Sequence, residues 1–134
     1  TGKPVWVSLS VDDADGTKLR SGEALADAVT MLKEYNPVVV LLNCSLPEAV
    51  SQGLPVLADH GFTLGAYANG FMGIHSDFNS IDVTVNLLKA RTDLGPAEYL
   101  SFARSWAEGG ASIIGGCCEV GPDHITALSN HFRA

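Results

Sequence analysis

Residues 37–48 read PVVVLLNCSLPE, and this stretch decides the fold class. The run 38–42 is continuously apolar, which is typical of a short strand covered on both faces, as in a parallel sheet. Ser45 and Glu48 then have the S-x-x-E spacing of a capping box, with Pro47 in the first turn of the helix that this motif predicts. The stretch therefore predicts a buried parallel strand, a short loop and a helix.

The same alternation of apolar runs with amphipathic segments recurs along the rest of the chain. Further strands are predicted at residues 4–11, 62–67 and 111–115. Further helices are predicted from Ser21, as N-cap, to about residue 35, around residues 81–91, from 96 to 108, and from 122 to about 133. Four repeats of a strand and a helix predict an α/β fold of four βα units with a parallel sheet.

The composition narrows the function classes. The chain has 134 residues, of which 46% are hydrophobic and 17% charged, as in one globular domain. A net charge of −7 has the wrong sign for binding a phosphate backbone, so nucleic acid is not expected as a partner. The longest aliphatic run is far shorter than the roughly 20 residues that cross a bilayer. Three cysteines, two of them adjacent, cannot form a complete set of disulfides, and a reducing cytosol is expected.

The cysteines follow two of the predicted strands. Cys44 comes directly after the second strand, and Cys117 and Cys118 come directly after the fourth, 73 residues further on. Functional residues of parallel βα folds gather at the carboxyl ends of strands, so these loops are expected to converge. Cys117 and Cys118 reach one ion only if the backbone turns sharply between them, and Gly115 and Gly116 are expected to supply that freedom.

Three thiolates around Zn²⁺ leave one tetrahedral position open, which is characteristic of a catalytic site. Such a site has a net charge of −1, so it suits activating a bound thiol better than splitting water. Two other interpretations stay open at this point. The cysteines can be inert, small hydrophobic residues. Alternatively, Cys117 and Cys118 can form a redox-active vicinal disulfide, which leaves Cys44 without a role.

Other polar residues lie near the same strand ends. Asn43 and Asn69 either bind a substrate carboxylate and orient ligands, or only cap their loops. The acidic run at residues 12–15 is interpreted as a solvated loop rather than as an acid–base pair. His124 follows the cysteine loop, and capping or packing is favoured for it over orienting that loop.

Two segments carry a family resemblance. Asn43-Cys44 and above all GGCCEVGPDHI at residues 115–125 resemble the zinc-dependent homocysteine S-methyltransferase family. Supporting matches are PVWVSLSV at residues 4–11, YANG at residues 67–70, and the segment 93–106. The resemblance covers nearly the whole chain.

The resemblance implies a site and a reaction. It implies Zn²⁺ held by Cys44, Cys117 and Cys118, with the sulfur of homocysteine as the fourth ligand attacking a methyl group to give methionine. It also implies substrate contacts in the loops that carry Asn43, Asn69 and Gly116, in a cytoplasmic enzyme. The methyl donor is S-methylmethionine, betaine or a methylcobalamin partner, among which the sequence does not choose. The alternative is a non-catalytic fragment that binds zinc and thiols.

The resemblance also implies a partial barrel. The family fold is a (β/α)₈ TIM barrel, and residues 1–134 resemble its carboxyl-terminal half, strands five to eight, as one domain. The family commonly has Tyr-Pro-Asn where this chain has Tyr67-Ala68-Asn69. A half-barrel exposes its apolar lining and two strand edges. We therefore predict self-association or pairing with the missing amino-terminal half.

Overall fold

The computed structural model describes residues 2–73 and 88–133. Its strands are Trp6–Leu9 (β1), Val39–Asn43 (β2), Thr63–Tyr67 (β3) and Ala111–Ile114 (β4), which form one parallel sheet in that order. Its α-helices are Leu25–Leu32 (α1), Pro47–Ala58 (α2), Pro96–Glu108 (α3) and Pro122–Phe132 (α4), and a 3₁₀ turn, Lys33–Tyr35, follows α1. The predicted α/β class with four βα units is confirmed.

The core lies between the sheet and its helices. Val40 and Leu42 of β2 are fully buried in it, together with Leu25 of α1 and Leu57 of α2. Because side chains alternate along a strand, the other residues of β2 face the opposite side of the sheet. Trp6, on the edge strand β1, is 54% exposed, whereas the central strand β2 is almost wholly buried.

Helix α3 is fixed by its periodic apolar face. Tyr99, Ala103 and Trp106 are buried at helical spacing. The indole Nε1 of Trp106 donates a hydrogen bond to Ser51 Oγ of α2 at 2.8 Å, and its ring meets that of Tyr99 edge to face at 5.7 Å. The hydrogen bond to Ser51 holds α3 against α2, and the buried face of α3 packs into the core that the helices share with the sheet.

The predicted start of the first helix is wrong. Helix α1 begins at Leu25 without a side-chain cap, and the Ser21 hydroxyl donates instead to the Glu23 carboxylate. The reason is that residues 18–24 fold back on themselves through an antiparallel bridge between Lys18 and Ala24. Ser21 therefore lies in a turn before the helix.

The predicted capping box is also wrong. The hydroxyl of Ser45 is buried and accepts a hydrogen bond from the amide of Val11 at 2.9 Å. The amide of Leu46 donates to the Asp13 carboxylate at 2.9 Å, and Glu48 pairs with Arg91. Helix α2 thus begins after Leu46 without a side-chain cap, and the β1 loop bonds the chain just before it, because distant partners replace the local ones.

The helix predicted around residues 81–91 falls mostly outside the described residues. Its described end, from residue 88, is not helical. Ala90 forms an antiparallel bridge with Phe71, and the amide of Arg91 donates to the carbonyl of Gly70 at 2.8 Å. Within residues 2–73 and 88–133, no helix has the length and apolar character needed to span a membrane.

Candidate metal centre

The structure brings the three thiols together. Cys44 follows β2, Cys117 and Cys118 follow β4, and their three Sγ atoms all lie within 4.8 Å of one another. The Sγ atoms of Cys117 and Cys118 are 3.9 Å apart. Tetrahedral zinc with Zn–S bonds of about 2.3 Å separates its sulfur ligands by about 3.8 Å. The donor set therefore fits one zinc ion after small shifts of the side chains.

The loop after β3 is bonded to the Cys44 loop. The amide of Cys44 donates to the carbonyl of Tyr67 at 3.0 Å, which continues the pairing of β2 with β3 past the strand end. Two residues after Tyr67, the amide of Asn69 donates to the carbonyl of Ser45 at 3.0 Å. The position of Cys44 is thus fixed on both sides by main-chain hydrogen bonds.

The same β3 loop is bonded to the vicinal pair. The amide of Cys117 donates to the carbonyl of Ala68 at 3.0 Å, and the amide of Gly70 donates to the carbonyl of Cys118 at 2.9 Å. Residues 67–70 therefore form a main-chain bracket between the two cysteine loops. This bracket accounts for the convergence of thiols that are 73 residues apart in the sequence.

Cys44 has an unusual backbone conformation. Its φ is +53°, in the left-handed region that non-glycine residues seldom adopt. Nη2 of Arg20 donates to its carbonyl at 2.6 Å, and the Ser10 hydroxyl donates to the preceding carbonyl, that of Asn43, at 3.0 Å. Strain of this kind is maintained by surrounding contacts and is concentrated at functional sites.

A tight turn orients the vicinal cysteines. The amide of Val120 donates to the carbonyl of Cys117 at 3.2 Å, and Glu119 has a φ of +63°. The left-handed residue of this loop is thus Glu119, two residues after Cys117. The sharp bend expected at the vicinal pair is present, because this turn begins at Cys117 and has Cys118 and Glu119 as its central residues.

The expected role of Gly115 and Gly116 is therefore wrong. Neither has a positive φ. A Cβ at Gly115 would lie 2.7 Å from Cε1 of Tyr67, and a Cβ at Gly116 would collide with the side chain of Val120. Both glycines are required by close packing against neighbouring side chains, and not by backbone freedom.

Burial shapes the chemistry of the vicinal pair. It raises the pKa of the Cys117 thiol and the pKa of the Cys118 thiol. Both thiols are thus protonated at neutral pH in the absence of a cation. Since a metal ion deprotonates the thiols that bind it, loading this site with metal should release protons.

Tyr99 fixes the strand end before the vicinal pair. Its hydroxyl donates to the carbonyl of Gly115 at 2.8 Å, and the carbonyl of Ala68 lies 3.3 Å away. From the sequence, Tyr99 was only one residue of the helix predicted over residues 96–108. Nothing in the local sequence indicated that its hydroxyl bridges β3 and β4 immediately before Cys117.

His124 has the capping and packing role favoured from the sequence. Its Nδ1 accepts a hydrogen bond from the amide of Gly121 at 3.2 Å, which leaves Nε2 as the donor to the Leu94 carbonyl at 3.0 Å. Its ring meets Tyr99 edge to face. His124 thus joins the end of the cysteine loop to the segment before α3.

Asn69 is fully buried beside the cysteine loops. Its Oδ1 accepts a hydrogen bond from the amide of Phe71 at 3.0 Å, which is a loop-capping contact. Its Nδ2 has no hydrogen-bond partner in the part of the chain that the structure describes. A buried donor without a partner costs about 1–3 kcal/mol, so a ligand that accepts this hydrogen bond would gain affinity.

The acidic run forms a structured turn, as the solvated-loop interpretation predicts. Asp12 Oδ1 accepts hydrogen bonds from the amides of Ala14 and Asp15. The Thr17 hydroxyl and the Lys18 ammonium lower the pKa of Asp15 to about 2. The carboxylates of Asp12 and Asp15 are thus bonded within their own loop, whereas that of Asp13 accepts from the amide of Leu46.

We predict that Tyr99→Phe lowers zinc affinity a few-fold. It removes a buried hydrogen bond to the Gly115 carbonyl worth about 1 kcal/mol and so loosens the strand end before Cys117. Competition with a chromophoric chelator measures the affinity. Tyr35→Phe is the matched control, because Tyr35 is 74% exposed. Equal zinc affinity in the two variants would contradict the role assigned to the Tyr99 hydroxyl.

Comparison with known proteins identifies the family. Residues 1–132 match the family model described as homocysteine S-methyltransferase. The chain belongs to the homocysteine S-methyltransferase family. This match extends over the β2 and β4 loops that carry the three cysteines.

Individual relatives are similar over most of this chain. Homocysteine S-methyltransferase of Escherichia coli (strain K12) is 32% identical over 92% of the chain and 37% of its own length. Homocysteine S-methyltransferase 1 of Zea mays is 27% identical over 97% of the chain and 38% of its own length. The chain thus spans a little over a third of the relatives that it matches.

A solved structure shares the fold. The homocysteine methyltransferase MmuM from Escherichia coli, in its metallated form, has a TM-score of 0.66 and 27% identity. The likeness covers 98% of this chain and 36% of that chain. The predicted fold, the carboxyl-terminal half of a (β/α)₈ barrel, is confirmed.

Proposed function

We propose that this chain is the zinc-bearing part of a homocysteine S-methyltransferase, which transfers a methyl group to the thiol of homocysteine to give methionine. The observation that carries the proposal is the convergence of three Sγ atoms within 4.8 Å at the carboxyl ends of β2 and β4, in a chain of this family. The domain is residues 1–134, corresponding to strands five to eight, and its location is cytoplasmic. The donor is S-methylmethionine, betaine or methylcobalamin.

The proposed zinc ligands are Cys44, Cys117 and Cys118. When bound there, zinc lowers the pKa of an incoming thiol so that its thiolate exists at neutral pH. The chain supplies the geometry, because the bracket at residues 67–70 holds both cysteine loops. A sulfur atom placed at this site lies at the open end of the sheet, where a methyl donor can approach.

Three further residues are proposed to contact the substrate. Asn69 offers a buried amide donor without a partner among the described residues. Asn43 ends β2 immediately before Cys44 and is partly exposed. Gly116 precedes Cys117, and the absence of a side chain there lets Val120 pack over the loop. All three residues lie in the loops that carry the proposed zinc ligands or in the β3 loop between them.

A second candidate function is non-catalytic binding of zinc and thiols. It is supported by the donor set, since three Sγ atoms within 4.8 Å of one another can hold a zinc ion and a further thiol without any other catalytic group. Groups from the amino-terminal strands of a barrel would then be needed for turnover. Cys117 and Cys118 are free thiols 3.9 Å apart. A redox role, in which a disulfide joins these two residues, is distinguished from both candidates by metal content, because that disulfide does not bind zinc.

X-ray absorption at the zinc edge tests the proposal. We expect one zinc per chain with three sulfur ligands, rising to four when homocysteine is added. Homoserine, which has a hydroxyl in place of the thiol, is the matched control ligand and should leave the sulfur count at three. An unchanged sulfur count with homocysteine would reject the proposed role of the site, and a metal-free protein with a disulfide between residues 117 and 118 would favour the redox role.

We also propose that the two edges of the sheet are covered by an amino-terminal half-barrel or by a second copy of the chain. Val5 and Trp6 are each more than half exposed at the β1 edge, and Ile125 and Phe132 of α4 are each more than 40% exposed near the β4 edge. Light scattering of this chain alone should show a mass that increases with concentration. A stable monomer at high concentration would contradict the proposal.

A further inference from the structure

Ser45 follows the left-handed residue Cys44 directly, and its side chain is fully buried. A buried hydroxyl is stable only when its hydrogen-bonding groups have partners. Its oxygen accepts from the amide of Val11 at 2.9 Å. The carbonyls of Val11 and Asn43 lie 3.1 Å and 3.2 Å from this oxygen, and each can accept its single proton. The hydroxyl therefore bonds the Cys44 loop to the loop that follows β1.

The main chain on both sides of Cys44 is bonded as well. The carbonyl of Ser45 accepts from the amide of Asn69 in the β3 loop at 3.0 Å. The carbonyl of Asn43 accepts from the Ser10 hydroxyl at 3.0 Å. Ser45 thus links the Cys44 loop to both neighbouring strands, through its side chain towards β1 and through its main chain towards β3.

The conformation of Cys44 depends on such bonds. A left-handed residue other than glycine is disfavoured by about fivefold to thirtyfold. Without partners that hold its neighbours, Cys44 would return to a negative φ. A change in φ on the order of 100° turns the Cα–Cβ bond, and Sγ with it, away from Cys117 and Cys118. The left-handed conformation is therefore part of the geometry that keeps the three Sγ atoms within 4.8 Å of one another.

We propose that Ser45 is a positioning residue of the metal centre, because its buried hydroxyl keeps Cys44 in the conformation that places Sγ beside the vicinal pair. The inference rests on the proposed function. It adds a residue outside the ligand set that determines how tightly the three thiols bind one ion. The S-x-x-E spacing predicted a helix cap for this serine, whereas the fold gives it a partner 34 positions away.

The first measurement is the zinc affinity of Ser45→Ala. Loss of the hydroxyl lets Cys44 leave the left-handed region, so zinc binding must restore that conformation. The affinity should therefore fall by about fivefold to thirtyfold. Competition with a chromophoric chelator measures the affinity, and urea unfolding of the metal-free protein measures the free energy of unfolding separately.

A double-mutant cycle shows whether the effect acts through Cys44. In Cys44→Ser that ligand is already lost, so adding Ser45→Ala should change the zinc affinity by less than about twofold. A residue that only stabilises the fold would give the same further loss in both backgrounds. Ser10→Ala is a second variant, because Ser10 is partly exposed and its hydroxyl donates to the Asn43 carbonyl. It should lower zinc affinity by a smaller factor, and this loss should also vanish in Cys44→Ser.

Ser51→Ala is the matched control. The Ser51 hydroxyl also makes two hydrogen bonds, since it accepts from Trp106 Nε1 at 2.8 Å and donates to the Pro47 carbonyl at 2.8 Å. Both partners lie in helices, α3 and α2. Ser51→Ala should lower the free energy of unfolding as Ser45→Ala does, but it should keep the wild-type zinc affinity.

The outcomes separate this inference from the proposed function. The inference is rejected, and the proposed function stands, if Ser45→Ala and Ser10→Ala both keep the wild-type zinc affinity. The same holds if their losses persist in Cys44→Ser, or if Ser51→Ala loses as much affinity as Ser45→Ala. A wild-type chain that binds no zinc would reject both proposals.

Discussion

Cys44→Ser is expected to lower zinc affinity by about two to three orders of magnitude. The reason is that structural zinc–thiolate sites contribute about 10–16 kcal/mol over about four ligands, so each ligand contributes several kcal/mol. Serine is nearly isosteric, but its hydroxyl is not deprotonated at neutral pH and is a poor ligand beside two thiolates. The Sγ atom that it replaces lies within 4.8 Å of those of Cys117 and Cys118. Competition with a chromophoric chelator measures the loss.

Two comparisons make the Cys44→Ser result specific. His131→Ala removes an imidazole, a group that can bind zinc, from the exposed last turn of α4, away from the three cysteines. It should leave zinc affinity unchanged. Metal-free Cys44→Ser should unfold at nearly the wild-type denaturant concentration, because the exchange of sulfur for oxygen changes little packing. Wild-type zinc affinity in Cys44→Ser would show that the three thiols do not share one ion.

Trp106→Ala is expected to lower the free energy of unfolding by about 3–5 kcal/mol. The indole is 2% exposed, packs edge to face on Tyr99 and stacks on Phe102 at 6.0 Å. The change also leaves the Ser51 hydroxyl without the indole hydrogen bond. Because the free energy of unfolding of a domain is only about 5–15 kcal/mol, this single change removes a large fraction of it. Unfolding in urea measures it.

The chain contains a matched control for Trp106. Trp6→Ala makes the same change at a side chain that is 54% exposed, and in dilute solution it should cost less than about 1 kcal/mol. Trp106→Phe keeps an aromatic ring, and its loss of unfolding free energy should lie between the losses of Trp106→Ala and Trp6→Ala. Equal destabilisation by Trp106→Ala and Trp6→Ala would show that α3 is not held by the contacts described above.

The sequence by itself determined the architecture and the candidate ligands. Periodicity is a local property, so the apolar run that forms β2 and the helical spacing of Tyr99, Ala103 and Trp106 predicted their elements directly. Parallel pairing places every strand's carboxyl end at the same edge of the sheet. That rule was sufficient to predict that the loops of Cys44 and of the vicinal pair converge.

The tertiary structure decided how those thiols are held. Asp13 accepts a hydrogen bond from the amide of Leu46, just before α2. The Tyr99 hydroxyl donates to the Gly115 carbonyl before the vicinal pair, and Arg20 donates to the carbonyl of Cys44. Each of these contacts joins residues at least 16 positions apart. Local patterns encode which face of an element is apolar, but a polar side chain takes whichever distant partner the assembled fold presents. For that reason the elements were predictable from the chain alone, and the hydrogen bonds that position the site were not.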